Sequence, residues 1–462
     1  MGWRITCIAP LLLLLAACSP DAPMQDLSAR RASGTLHLPA MKHFAQTIVT
    51  PPSRPNSEIA RDFLDLSFRM ESGRPLAVMT RFEGPVTLRI TGRIPPTLGP
   101  DLAHLLGRLH REAHIAIRRV SAGHDANITI EVVPRGQMQR LVPQAACFVV
   151  PRLTGWAQYR RLRRSSAIDW STLTERKRLA IFIPDDVSPQ EVRDCLHEEL
   201  AQALGPLNDL YRLPDSVFND DNFQTVLTGF DMLILRLYYA PELHNGMSRS
   251  AVAARLPALL RRLNPAGNRR ATRPPPAPTT RHWIELIETA LGPGTGHRAR
   301  RQAARQAVAV ARQQGWVDTR LAFSLFAYGR LSLGEAPDQA LVAFLEARDI
   351  YRARPETRIH LAHVAMQLAA FSLTLGDPET VIELVNKNVK PVAQAQNAAL
   401  LASLLMLKAE ALDQTGRASE ARAVRLDSLG WARYGFGAGR DVRVRMAEIA
   451  ALAPGKPLQG GL

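Results

Sequence analysis

Apolar and polar positions change period along this chain, and the changes mark separate pieces. Residues 8–15 form an unbroken apolar run, too short to cross the ~30 Å of a bilayer's hydrocarbon. Residues 19–56 are polar, proline-dotted and without period. Helical spacing begins at Ile59, Phe63, Leu64 and Leu66, predicting a short amphipathic helix over 57–70. Alternation in VTLRI predicts a strand at 86–90. Leu102, Leu105, Leu106, Leu109 and Ala113 return to helical spacing over 98–113. Strands follow at 115–120 and 128–133, parted by the turn-rich Gly123-His124-Asp125-Ala126-Asn127. Residues 152–164 read as an irregular basic run and LAIFI at 179–183 as an apolar strand. Ser188-Pro189-Gln190-Glu191 then places an N-cap serine, a proline at the first helical position and a glutamate three residues after the serine. That capping box predicts a helix over 189–204, ending at Gly205.

The pattern breaks at 257–278, where Asn264-Pro265-Ala266-Gly267 and Arg273-Pro274-Pro275-Pro276-Ala277-Pro278 predict an extended, semi-rigid spacer. Beyond it the chain is rich in Ala and Leu at helical spacing. Helices ending at Gly334, Gly376 and Gly416, recurring after 42 and 40 residues, are each followed by a second helix led by Pro337, Pro378 or Ala418. These units resemble tetratricopeptide-like helical hairpins, somewhat longer than the usual ~34 residues. That resemblance implies a solenoid whose concave face binds protein segments. The other reading is an ordinary helical bundle with accidental self-similarity. No stretch within 298–451 has the look of an active site.

The expected organisation is a signal at 1–17, a flexible tether at 18–56, an α+β domain at 57–255, a linker at 256–281, an all-α repeat domain at 282–452 and a disordered tail at 453–462. The signal follows from Arg4, the apolar run and Leu15-Ala16-Ala17-Cys18, a lipobox in which Cys18 would be lipidated. Several acyl chains would then give a stable membrane anchor on the periplasmic side of a bacterial envelope, with Ser19 pointing to the outer membrane over the inner. The alternative is an ordinary cleavable signal with a chance cysteine. With Cys7 in the signal and Cys18 lipidated, Cys147 and Cys195 remain, and an oxidising compartment makes them a disulfide candidate, with two unpaired thiols as the alternative. The formal net charge of +16 comes almost wholly from scattered Arg, and export keeps the chain from the chromosome, so no nucleic-acid partner is expected. Basic runs at 160–164 and 298–305 suit anionic head groups or polysaccharide.

The chemistry concentrates in CLHEELAQALGPLND, residues 195–209. This run resembles the extended zinc motif of metzincin proteases, H-E-x-x-H-x-x-G-x-x-H/D, and the resemblance implies a zincin-like fold for the first domain. Glu198 and Gln202 stand at the two helical histidine positions, Glu199 at the general base, Gly205 at the turn glycine, and Asn208 or Asp209 near the third ligand. Phe230 to Tyr239 would be the second helix and Gly246-Met247-Ser248 would lie near a Met-turn. The chain is still more similar to a proteobacterial lipoprotein family built on a domain of unknown function. There a Cys-x-x-Glu-Glu-x-x-Gln-x-Leu-Gly-x-x-Asn-Asp core precedes Ser-x-Phe-Asn-Asp and a Leu-Tyr to Gly-Met-Ser tail, matched here at 195–209, 216–220 and 237–248.

A carboxylate and an amide bind zinc far more weakly than two imidazoles one turn apart, and His197 finds only Leu200 and Ala201 at helical spacing. No cofactor is expected, although zinc or calcium remains open to these oxygen donors. Three readings follow: a pseudoenzyme kept for binding, a hydrolase of peptidase type using Glu199 as general base, and acidic side chains that merely decorate a helix. The acidic loop with Asp209, Asp215, Asn219, Asp220 and Asp221 offers oxygen ligands for a Ca²⁺-like ion but lacks the regular spacing of an EF-hand, which favours the alternative of a solvated turn or helix caps. The expected role is a binding or scaffold lipoprotein that meets a protein or cell-envelope partner through its helical repeats.

Overall fold

The computed structural model describes residues 38–454 apart from 46, 48, 53 and 272–275, so Cys18 and the signal lie outside the described residues. From Pro39 onward the chain forms one compact unit. Helix α1 (Asn56–Ser67) buries Ile59, Phe63, Leu64 and Leu66, the face its spacing predicts, and stops short of residue 70. Strand β1 (Val86–Gly92) alternates buried and half-buried residues before ending at Gly92. There φ is 87° and a Cβ would stand 2.2 Å from the Val132 carbonyl oxygen, so only glycine fits. Helix α2 (Leu98–Ala113) closes on left-handed His114. Strand β2 (Ile117–Arg119) is shorter than the predicted 115–120, and β3 (Ile128–Val133) runs as predicted.

Sequence periodicity did not reveal the next three elements. Helix α3 (Arg135–Gln139) and strand β4 (Phe148–Pro151) precede α4 (Trp156–Leu162), which lies inside the run expected to be irregular. Helix α4 forms because Trp156 and Tyr159 are buried against Phe148 and Phe182, a tertiary contact that outweighs a charge-rich local sequence. Strand β5 (Leu179–Pro184) leads into α5 (Pro189–Leu204), followed by α6 (Gly229–Tyr238) and α7 (Arg249–Leu263). Helix α7 corrects the linker boundary, because it continues through Pro257 to Leu263.

The five strands form a mixed sheet in the order β2-β1-β3-β5-β4, parallel except for β4, which runs antiparallel to β5. Every residue of β5 is buried because both faces of the sheet are covered there. Leu88, Ile130, Ile181 and Ile183 enter the larger core with α1, α2, α5, α6 and α7. Ala180, Phe182 and Val150 enter a smaller one with Met138, Trp156 and Tyr159. At β3, Glu131 faces the small-core side and its carboxylate accepts from the Trp156 backbone N–H at 2.8 Å, capping α4.

The remaining chain is helical. Helices α8 (Arg281–Leu291), α9 (His297–Gln313), α10 (Thr319–Ser332), α11 (Pro337–Arg352), α12 (Arg358–Thr374), α13 (Pro378–Gln394), α14 (Ala398–Gln414), α15 (Ala418–Gly435) and α16 (Gly439–Ala450) follow one another through short turns. The three expected units are hairpins of α10–α11, α12–α13 and α14–α15. Gly376 and Gly416 are left-handed, at φ 73° and 76°, and the next N–H in each case returns to a carbonyl of the closing turn. Among the described residues no helix is long and apolar enough to cross a membrane.

Two features correct the expectation of a separate repeat domain and, from residue 38 onward, of a flexible tether, whose earlier part lies outside the described residues. First, the chain from Pro39 is docked on α15: Lys42 N donates to Gly430 O at 3.0 Å, Phe44 stacks on Trp431 at 4.5 Å, and Arg433 donates to Pro39 O at 2.7 Å. Second, the long loop between α5 and α6 is inserted against α10 and α12. Phe223 lies 5.8 and 5.3 Å from the Phe323 and Phe326 rings and 4.6 Å from both His360 and His363. This aromatic face of the helical array is thus covered by the chain's own loop.

Candidate functional site

Helix α5 carries the motif, and its setting is almost wholly buried. Ser188 Oγ accepts from Glu191 N at 3.1 Å, which is one half of the expected capping box; the Glu191 side chain pairs with Arg135 instead. Cys195 is joined to Cys147 by a disulfide with Cα atoms 5.9 Å apart, tying α5 to the start of β4 as expected. The helix C-terminus is held by Arg176, which spacing gave no cause to single out. Its guanidinium donates to the Gln202, Ala203 and Gly205 carbonyls at 2.5, 2.8 and 2.5 Å, capping the end where partial negative charge accumulates. At Gly205 a Cβ would come within 2.9 Å of the Tyr238 ring. The turn glycine is therefore needed because α6 approaches so closely.

The motif side chains divide. His197 points into the core, where Nδ1 accepts from Leu227 N at 3.1 Å; burial, then Arg108 and Arg193, keeps it neutral by holding its pKa well below the usual imidazole value. Asn208 also turns away, donating to the Asp65 carbonyl at 2.9 Å. Glu198, Glu199, Gln202 and Asp209 come together. Gln202 Nε2 lies 3.4 Å from Asp209 Oδ2, and Glu71 stands beside the Asp209 carboxyl and raises its pKa. Glu71, in the turn after α1, is a member that sequence periodicity could not find, since it is remote in the chain and lies outside any regular element.

These carboxyls grade from exposed to buried. Glu71 and Asp220 are exposed, Glu198 and Asp209 half-buried, and Glu199 is only 4% exposed. Burial, and then repulsion from Asp220, Glu71 and Asp194, pushes Glu198 up to about 8. Burial, with Glu198 and Glu71 beside it, pushes Glu199 well above the ordinary carboxylate range, and Asp209 rises for the same first cause with Asp220 next. Asp220 is pushed up to about 7 by desolvation and by Glu71 and Glu288, with the nearby Tyr211 hydroxyl working against the rise. Glu288 belongs to α8, so the helical array contributes to the field of the cluster.

Other acidic residues of the loop and of α6 have partners of their own. Asp215 pairs with Arg54 at 2.6 Å. Asp221 meets His360. Asp231, on α6, is buried and accepts from Ser216 Oγ at 2.5 Å, Val217 N at 3.2 Å and Thr228 N at 2.8 Å, so it buttresses the loop from below. Among the described residues no three His, Cys, Asp or Glu side chains group closely enough to hold a metal ion. The donors that do converge are carboxyls and one amide, a set that suits hard cations or protonated nitrogen better than zinc.

The protein is thus a mixed α/β domain with a cluster of carboxyls on one buried helix, clasped by an all-helical array. Its residues 56–258 match the model of a family described as a protein of unknown function, DUF2927. No curated protein matches the chain.

Proposed function

We propose that the chain is a lipid-anchored protein of the bacterial envelope, facing the periplasm, in which a zincin-like domain without its metal chemistry serves as a binding domain. Cys18 in its lipobox supplies the anchor, and Ser19 beside it favours the outer membrane. The tetratricopeptide-like helices act as a scaffold that fixes the loop between α5 and α6 and thereby one wall of the cleft. The observation that carries the reading is the side-chain set on α5: Glu198 and Gln202 occupy the imidazole positions, Asn208 turns to Asp65, and what converges is a cluster of carboxyls. Since Phe223 already covers the aromatic face of α10 and α12, an envelope partner would meet the cleft or the outside of the array. Elemental analysis of the purified protein is the test. Sub-stoichiometric zinc supports the reading. One zinc per chain, lost in Gln202→Ala, overturns it.

A second reading is a hydrolase of peptidase type, favoured by one feature: Glu199 is a buried carboxyl with an oxygen that has no hydrogen-bond partner and a pKa held high, as a general base or acid requires. Peptide hydrolysis lost in Glu199→Gln would establish it. Hydrolysis that persists unchanged in that variant would end it.

A further inference from the structure

We infer that the cleft at Glu199 takes a protonated amine or guanidinium group, carried by a basic peptide side chain or by a free polyamine, and not a metal ion; this rests on the binding reading above. The first observation is a missing partner. The sequence has 58 Lys and Arg against 42 Asp and Glu, yet among the described residues none of Glu71, Glu198, Glu199, Asp209 and Asp220 forms an ion pair with a basic side chain of the chain itself. Other buried carboxylates of the domain do find one: Asp62 is held by both Arg54 and Arg212 at 2.7 Å. The second observation is the orphaned oxygen. Glu199, nine-tenths and more buried, has Oε2 without a hydrogen-bond partner, and the charged groups nearest it are the carboxyls of Glu198 and Glu71. Asp209 Oδ1 is orphaned in the same cluster. A buried acceptor left unpaired costs about 1–3 kcal/mol, which a donor entering the cleft would recover.

The arrangement of these carboxyls selects the donor. The carboxyls do not gather around one point, as a metal needs, but run from exposed Glu71 and Asp220 past Glu198 and Asp209 to Glu199. An ammonium or guanidinium on an aliphatic stem offers three to five N–H donors at its tip and can reach the floor while its stem passes the rim. Charge-assisted bonds of this kind are roughly twice as strong as neutral ones.

The test is titration calorimetry on the full chain with agmatine, with the peptide Gly-Gly-Arg-Gly-Gly, with its citrulline counterpart, and with calcium and zinc chlorides, repeated on Glu199→Gln and Asp220→Asn. Asp220 sits at the exposed rim, so its variant keeps the fold even where the buried one fails, and circular dichroism checks both. Binding of agmatine or of the arginine peptide, absent for citrulline and weakened about tenfold in either variant, supports the inference; agmatine alone would mark a free amine as the ligand and the peptide alone a partner's side chain. Calcium binding that depends on Glu199, with no organic cation bound, overturns the inference while the binding role stands, and zinc binding at the same residues overturns both. If no probe binds, or all bind equally to the variants, the cleft has no ligand of this kind and the binding reading falls with it.

Discussion

Asp221 Oδ2 lies 2.9 Å from His360 Nε2, joining the loop that leaves the motif helix to α12 across 139 residues of sequence, with both side chains buried. The same carboxylate accepts from Asn219 Nδ2 at 2.9 Å and, through its other oxygen, from Phe223 N at 3.1 Å. One aspartate therefore shapes the loop and fastens it to the helical array.

Removing the histidine leaves that carboxylate short of a donor in a dry seam. His360→Ala should cost about 2 kcal/mol for a hydrogen bond to a charged group, with a further loss for the ring. Urea unfolding of the variant measures it, and an unchanged midpoint would show that the pair does not hold the seam.

Phe223 is the apolar half of the same fastening. Phe223→Ala should cost about 3–5 kcal/mol, and residues 209–226 should become sites of rapid proteolysis while the wild type resists. Calorimetry should also separate the unfolding of the α/β domain from that of the helices. A single, sharp transition with no new cleavage would contradict this assignment of the loop.

The Cys147–Cys195 disulfide closes a segment of 48 residues that contains β4, α4 and β5. In the chain-entropy account such a loop contributes about 4 kcal/mol. Cys147→Ser should lower the denaturation midpoint accordingly, and reductant should do the same to the wild type but not to the variant. Equal sensitivity to reductant in both would exclude the bridge as the cause.

The raised carboxyls give stability a defined pH slope. Glu198 at about 8 and Asp194 at about 7, both lifted first by burial, keep protons in the folded state that an unfolded chain gives up near ~4. Folding therefore takes up protons between those values, so their contribution is complete below the unfolded pKa and is lost as pH rises through the folded one. Neutral His197 and His363, held low by burial, act in the opposite sense below pH ~6.5. The window from about pH 6.5 to 8.5 thus isolates the carboxyls: stability should fall across it, and Glu198→Gln should flatten the fall. The same slope in wild type and variant would remove Glu198 as its source.

Much of the molecule was legible because local physics acts on neighbours in sequence. Periodicity located α1, β1, α2 and β3 through the residues they bury, the apolar run LAIFI marked β5, the cap at Ser188 and Pro189 marked α5, and Gly376 and Gly416 marked helix ends because a left-handed residue without a Cβ is inexpensive there. The pairing of Cys147 with Cys195 was reachable from the cysteine count and the compartment that the sequence leads one to expect. Helix α4 and strand β4 were not, since Trp156, Tyr159 and Phe148 are ordered by one another and by Phe182. The linker boundary failed where α7 carried Pro257 within a helix packed on α1.

In the candidate site, the sequence determined which residue types α5 presents, Glu198, Glu199 and Gln202 among them. Only the tertiary structure decided which of them meet. Asn208 is turned to Asp65, Glu71 is brought in from beyond α1, and the helical array adds Glu288 while its aromatic face closes over Phe223. The physical reason is range. Spacing along a helix fixes faces within about one turn, whereas burial, charge repulsion and an unpaired oxygen depend on chains of residues that fold together from distant parts of the sequence.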